Sequence, residues 1–486
     1  MAKRITIDPI TRLEGHGKIE IFLDDKGNVE NAYLQVPELR GFEQFCIGRP
    51  AEELARITPR ICGVCPTAHH MASTKALDDL FKVDPPPAAK KIRELFYNIF
   101  MLEDHTLHFY FLGGPDFVVG PTAPAAERNI LGVLAKVGLE IGGKVIKMRR
   151  ECRELMTMMA GKVIHPVFGL PGGVSKGVKK EDAEKIQTVA KAGVEFAQFS
   201  LKVFEDIVLK NKDYLKLIVG DIYMNKTYSM GMVDNNNHVN YYDGLVRVVD
   251  TNGKEFVKFK PRDYAKVVAE HVEPWSYIKF LYLKEVGWKG FVDGQESGVY
   301  RVAPMARLNA ADGMSTPLAQ AEYEKLFKTL GGKPVQLTLA THWARLIEAL
   351  NAAEVMLKLS QDPEITSDKF RTIPTATPEE GIGIVEAPRG TLFHHYKTDK
   401  NGMITDCNLI VATQNNSAVM NMGIQKAAKA LIKDGNVNEG ILNLIELTYR
   451  AYDPCHACGT HSLPGNYPIE VNIYDATKTL VKTIKK

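Results

Sequence analysis

The pattern of hydrophobic and polar positions changes period several times along the chain. Over the first forty residues, 5–8, 18–24 and 29–36 alternate apolar with polar, and Asp25-Lys26-Gly27-Asn28 supplies a turn, so strands with one buried face are expected. From Pro66 the apolar spacing becomes i, i+3, i+4. It predicts helices over 67–81, 88–112, 123–160 (broken at Gly142-Gly143) and 180–209. Pro85-Pro86-Pro87 separates the first two, and Leu170-Pro171-Gly172-Gly173 closes the third. Residues 215–305 carry short alternating runs rich in Asn, Gly, Tyr and Val, the mark of a mixed β insertion. Helix returns at 340–361. A β-hairpin is expected from 382–397 and 404–412, turning at Lys400-Asn401-Gly402, and helices at 419–434 and 437–450 lead to Asp453-Pro454-Cys455. Residues 469–474 alternate once more. The expected fold is α+β, a predominantly helical core with peripheral β-sheets and hairpins.

Composition narrows what such a fold does. A chain of 486 residues buries a substantial core, so no metal or disulfide is needed merely to fold it. A metal motif therefore argues for chemistry. The 61 basic and 58 acidic residues nearly cancel, giving no reason to expect nucleic acid or an anionic membrane as a partner. The short basic clusters at 147–150 and 176–180 read as solvated helix faces or loops. There is no long apolar run of transmembrane length, and Met1-Ala2-Lys3-Arg4 leads straight into a strand without the apolar core of a secretory signal. Seven cysteines are few, and four fall in two CxxC pairs, which fits a reducing compartment and metal or redox work better than a disulfide framework.

Two segments carry the candidate chemistry: Arg60-Ile61-Cys62-Gly63-Val64-Cys65-Pro66-Thr67-Ala68-His69 and Asp453-Pro454-Cys455-His456-Ala457-Cys458-Gly459-Thr460-His461. A CxxC turn aims two sulfurs at one point, so two pairs complete a tetrathiolate site. Structural zinc motifs usually place the second pair about 12–20 residues after the first. Here the pairs lie near opposite ends of the chain, which suits a reactive cluster buried at the centre of a large fold. Spacing alone leaves structural zinc, thiol–disulfide redox and a soft-metal catalytic site open.

The combination resembles the large subunits of nickel–iron hydrogenases. RICGVC with a histidine four residues on, and DPCxxCxxH near the C-terminus, match the paired signatures of that family. Arg12-Leu13-Glu14-Gly15-His16, Arg40-Gly41-Phe42-Glu43, Asp104-His105 with His108-Phe109-Tyr110, and Ala387-Pro388-Arg389-Gly390 follow in the family's order. The likeness covers nearly the whole chain and is weakest in 215–305. It implies the hydrogenase large-subunit fold and reversible, heterolytic cleavage of H2 into protons and electrons. Two alternatives remain beside it. The quinone-site subunit of respiratory complex I shares the fold but lacks the four cysteines, and a zinc-stabilised binding protein would hold zinc alone.

The resemblance also assigns roles. Nickel would be held by Cys62, Cys65, Cys455 and Cys458, with Cys65 and Cys458 bridging to an iron that carries carbonyl and cyanide ligands. Cys455 is the candidate base and Glu14 the next proton carrier. By itself Glu14 reads as a solvated strand-end carboxylate, and Arg389 as a surface turn residue. In the family's pattern Arg389 sits over the open metal position, held by Asp104 and Asp453 through charge-assisted hydrogen bonds. Pro388 and Thr413 would line the diatomic ligands, although the residue before that threonine is Ala412 where the family usually has proline. His69 would donate to a bridging sulfur. Glu43 and His461 would hold a magnesium or iron. Cys46, Cys152 and Cys407 read as small buried apolar residues.

The expected organisation is one catalytic unit over 1–461, mainly β over 1–60, helical over 66–210, with the β insertion at 215–305 and helices plus hairpin at 340–461. Residues 462–486 would be an extension removed by a maturation protease. No iron–sulfur cluster motif remains beyond the two CxxC pairs. Electrons are therefore expected to leave through an iron–sulfur small subunit, then on to flavin or heterodisulfide-reductase subunits. The likeness is greatest to cytoplasmic bidirectional members, the methyl-viologen-reducing, heterodisulfide-reductase-linked or NAD-linked types.

Overall fold

The computed structural model describes residues 3–460, 470–475, 477 and 479–485. The chain opens with β1 (Lys3–Ile7), β2 (Lys18–Leu23) and β3 (Val29–Gln35), an antiparallel sheet in that order. Its alternation puts Ile19, Ile21, Leu23, Ala32 and Leu34 on one fully buried face.

The helical core follows. It comprises α1 (Pro66–Leu80), α2 (Pro87–Leu107), α3 (Leu139–Ala160), α4 (Lys180–Phe204), α5 (Pro304–Ala310) and α6 (Thr341–Ser360). Proline occupies the first position of α1 and α2, where no helical N–H is needed. The end of α2 passes into a π-helical turn, His108–Gly113, so the helical stretch ends near the expected 112. Helix α6 packs against both α2 and α4. The break expected at Gly142-Gly143 falls instead at Gly138, at φ +87°, between Ile130–Val137 and α3. Gly142 lies inside α3, where a Cβ would come 2.1 Å from Leu134 Cδ2, so that glycine serves close packing.

Within the insertion, β4 (Tyr228–Val233), β5 (Leu245–Val249) and β6 (Glu255–Phe259) form a meander, and Tyr300–Arg301 adds parallel to the free edge of β4. Helices α5 and Pro317–Thr329 were not expected from the sequence pattern.

Near the end come β7 (Glu380–Ala387), β8 (Gly390–Thr398) and β9 (Ile404–Ile410), a second antiparallel meander. The expected single strand over 382–397 is itself a hairpin. Ala387 pairs with Gly390 across a two-residue turn, Pro388-Arg389, and Gly390 adopts φ +129°. The second turn falls where expected, with Asp399 Oδ1 accepting from the backbone N–H groups of Asn401 and Met403. Strand β7 lies directly on α1. A Cβ on Gly381 or Gly383 would come 2.1 Å from the carbonyl oxygens of Ala76 and Ala72. Strand and helix backbones thus touch, fixing the Arg389 turn relative to the helix that begins beside Cys65.

Helices α7 (Ser417–Leu431) and α8 (Glu439–Arg450) close the fold. Met420, Ile424, Ile445 and Tyr449 share one buried cluster with the apolar face of β1–β3. Leu34 N–H donates to Asn421 Oδ1 within it, at 2.9 Å. The sheet β1–β3 and helices α7 and α8 are therefore one packed unit. Beyond them, Glu470–Tyr474 pairs with Leu480–Lys485 as a hairpin. Among the described residues, no helix is long and apolar enough to cross a membrane.

Candidate metal centre

The four cysteines of the two CxxC pairs meet. Their sulfurs lie within 4.8 Å of one another and all four side chains are buried. Cys62 Sγ is 3.4 Å from Cys455 Sγ, Cys65 Sγ is 3.5 Å from Cys458 Sγ, and Cys455 and Cys458 are 2.8 Å apart. Each pair lies at a helix start. Cys65 is the residue before α1, and Cys455 precedes the short turn His456–Gly459. Backbone N–H groups of Val64 and Cys65 both point at Cys62 Sγ, at 3.2 Å. Burial disfavours a Cys62 thiolate, but hydrogen bonds from the other three thiols and the charge of Arg389 outweigh it and hold Cys62 well below the usual thiol range. Burial drives Cys455 and Cys458 well above that range. Four buried sulfurs gathered at this spacing suit a soft divalent cation, which displaces thiol protons on binding.

Glu14 reaches this group from the loop after β1. Glu14 and Cys455 pair as an isolated parallel bridge, with Glu14 N–H donating to Pro454 O and His456 N–H to Glu14 O. This pairing sets the carboxyl beside the sulfur: Cys455 Sγ donates to Glu14 Oε2 at 2.9 Å, and Ala457 N–H to the same oxygen at 3.2 Å. Glu14 is half-buried rather than a solvated strand end, and burial together with the Cys62 charge raises its pKa.

Arg389 projects from the β7–β8 turn and is buried, not a surface residue. Its Nε donates to the Asp453 carbonyl at 2.6 Å and Nη2 to Asp453 Oδ1 at 3.0 Å. Asp104 is 3.8 Å from Nη1, an ion pair too long for the hydrogen bond expected there. Burial pushes the Asp104 carboxyl up to about 7 against the pull of Arg389. A second layer holds this turn. Arg307 grips Glu348 with two 2.6 Å bonds and Glu386 with a third of 2.8 Å, and donates to the carbonyls of Ala387 and Pro388. Arg345 lies 3.5 Å from both Pro388 O and Asp453 Oδ2.

The remaining expected residues divide. His69 Nε2 is 3.4 Å from Cys458 Sγ, and burial lowers the His69 pKa to about 3, leaving the ring neutral. Thr413 Oγ1 accepts from Cys455 N–H at 3.0 Å, so the helical turn Ala412–Asn415 presents that hydroxyl with Ala412 in place of proline. Glu43 is buried away from the thiols, with Arg40 Nη2 3.3 Å from it, and Arg40 Nε donates to Thr460 O. Arg40 thus links Glu43 to Thr460, and His461 lies outside the described residues. The Thr460 hydroxyl is buried without a partner among the described residues, and Lys279 feels the Glu43 charge. The Glu43 carboxylate and the Thr460 oxygens are donors of the kind a hard cation takes. Cys46, Cys152 and Cys407 are buried outside the thiol group.

Sequence reasoning missed Arg307, Arg345 and Glu348; the available signal was the i, i+3 pair of opposite charges, Arg345 and Glu348, in α6. It also missed His165, which lies at φ +57° and donates to the Cys62 backbone.

Comparison with known proteins agrees with this geometry. The nickel-dependent hydrogenase family profile matches residues 40–135 and 294–461, and a HoxL-like profile matches 4–39. An iron-sulfur subunit of the F420-non-reducing hydrogenase from Archaeoglobus profundus is 51% identical over 99% of both chains. The NAD-reducing hydrogenase HoxS subunit beta of Cupriavidus necator is 37% identical, again over 99% of both. A solved NAD+-reducing nickel–iron hydrogenase in its H2-reduced state superposes with a TM-score of 0.88 at 37% identity, covering 94% of this chain and 99% of that one. The chain therefore belongs to the nickel-dependent hydrogenase family as a large subunit, and its reaction is the reversible cleavage of H2.

Proposed function

We propose that Cys62, Cys65, Cys455 and Cys458 hold the nickel, with Cys65 and Cys458 shared with an iron carrying carbonyl and cyanide ligands. The single observation behind this reading is the convergence of four buried sulfurs from both ends of the chain, with one carboxyl against them. When bound, such a centre supplies the soft Lewis acidity that polarises H2 and accepts its electrons. The chain's own residues handle the proton. Cys455 Sγ takes it, and Glu14 Oε2, already at hydrogen-bond distance, carries it on. Arg389 places a fixed cation over the thiols, buttressed by Asp453 and Asp104, so that charge developing at sulfur meets a preorganised partner. Pro388 and Thr413 would wall the diatomic ligands. Glu43 and His461 hold a magnesium or iron.

Electrons leave where the cysteine loop nears the surface. Gly63 is exposed and faces open space, beside the exposed Arg60 and half-exposed His165. We place an iron–sulfur small subunit on this face, followed by flavin or heterodisulfide-reductase subunits, in a cytoplasmic enzyme. The relatives named as subunits of larger hydrogenases support a multi-chain assembly. The proposed mature chain ends at His461 after a maturation protease removes 462–486. Intact mass of the nickel-loaded subunit tests this, and a full-length mass would overturn it.

The proton role is tested by Glu14→Gln in the purified complex. Hydrogen-dependent dye reduction is expected to fall by about 10²–10⁴ with nickel content unchanged. Equal activity would refute Glu14 as the carrier.

A further inference from the structure

Behind Cys458 runs a chain of buried side chains for which the proton route has no use. His69 Nδ1 is 3.1 Å from His394 Nε2, and His394 Nδ1 is 2.6 Å from the Tyr396 hydroxyl. The Tyr396 hydroxyl donates to Ser73 Oγ at 2.9 Å. All four residues are fully buried. His69 and Ser73 lie one turn apart on α1, and His394 and Tyr396 lie on one face of β8, so the chain stitches helix to strand along two rungs.

Elementary hydrogen-bond counting fixes its direction. A metal-bound thiolate has no hydrogen and can only accept, so His69 Nε2 must carry the N–H. A neutral imidazole has one N–H, so His69 Nδ1 must accept, and His394 Nε2 is the donor in reach. His394 Nδ1 must then accept, so the Tyr396 hydroxyl turns its one hydrogen from Ser73 to this nitrogen, and the Ser73 hydroxyl donates to the phenol oxygen in return. With the opposite tautomer, His69 would aim a nitrogen lone pair at the sulfur across 3.4 Å. We propose that His394 and Tyr396 are positioning residues that lock His69 in the tautomer donating to Cys458, and thereby tune a sulfur bridging the two metals. This rests on the reading of Cys458 as a metal ligand.

The lock has a spectroscopic consequence. Weakening the N–H···S bond leaves the sulfur a stronger donor, enriches the iron in electrons and lowers the stretching frequency of its carbon monoxide ligand. The test compares holoenzyme complexes carrying Tyr396→Phe, Ser73→Ala and His69→Phe by infrared band position, nickel content and thermal midpoint. Tyr396→Phe is isosteric but for the hydroxyl. It is expected to load nickel, keep its thermal midpoint, shift the carbonyl band to lower frequency and lose roughly ten-fold in kcat. Ser73→Ala, which keeps the tyrosine hydroxyl, shifts the band the same way by less. A band unmoved in Tyr396→Phe but moved in His69→Phe overturns the lock. A band unmoved in His69→Phe as well overturns the placement of Cys458 at the iron instead. Should Tyr396→Phe fail to load nickel, Ser73→Ala decides: a lowered band supports the lock and an unchanged one refutes it.

Discussion

Glu14 and Asp104 are both carboxyls raised by burial, yet they face different neighbours and do different work. Glu14 touches a sulfur and a backbone N–H, while Asp104 faces Arg389 at ion-pair distance. Asp104 makes the metal-free fold sensitive to pH in a stated direction. An unfolded aspartate gives up its proton near 3.9, whereas Asp104 in the fold does so at about 7. Between those values the folded chain holds the extra proton, so stability falls as pH rises through the window and levels off above it. Asp104→Asn is expected to flatten that decline, as read by chemical denaturation of the metal-free chain from about pH 4 to about 7. Identical slopes in both chains would assign the effect elsewhere. Which residues meet at the candidate site was largely legible from motif resemblance. Their environments were not: Glu14 and Arg389 taken singly read as solvated, because burial depends on contacts from distant parts of the chain.

At the level of elements, the decisive piece is the two-residue turn that presents Arg389. Its carbonyls at Ala387 and Pro388 are held by Arg307, itself gripped by Glu348 of α6. A lysine keeps the charge but loses the fork. Arg307→Lys is therefore expected to lower kcat by about 10- to 100-fold through displacement of the turn, with nickel content retained. In an Arg389→Lys background the same change is expected to cost little more, since the two act through one group. Multiplying losses in the double variant would mean that Arg307 acts independently of Arg389. Helices and strands followed from their periodicity, but two readings failed for physical reasons. Gly142-Gly143 looked like a breaker, whereas Gly142 serves close packing on Leu134 and Gly138 supplies the left-handed turn. The stretch 382–397 looked continuous because its apolar alternation runs on both sides of Pro388-Arg389.

For the whole molecule, the question is how residues from opposite ends reach one point. The sheet β1–β3 and helices α7 and α8 share a single apolar cluster, and the Glu14–Cys455 bridge continues that contact into the site. Cys62 and Cys65 arrive separately, at the start of α1, which β7 fixes through the contacts at Gly381 and Gly383. The thiol group thus forms only when the entire fold is complete, and no local pattern revealed that assembly. What hinted at it was the wide separation of the pairs, which made a small structural zinc module a poor explanation. X-ray absorption at the nickel edge of the purified complex measures this claim directly. A nickel shell of four sulfurs is expected in the native enzyme, with the loss of one in Cys455→Ser. A nickel surrounded by nitrogen and oxygen donors, or zinc in its place, would contradict it.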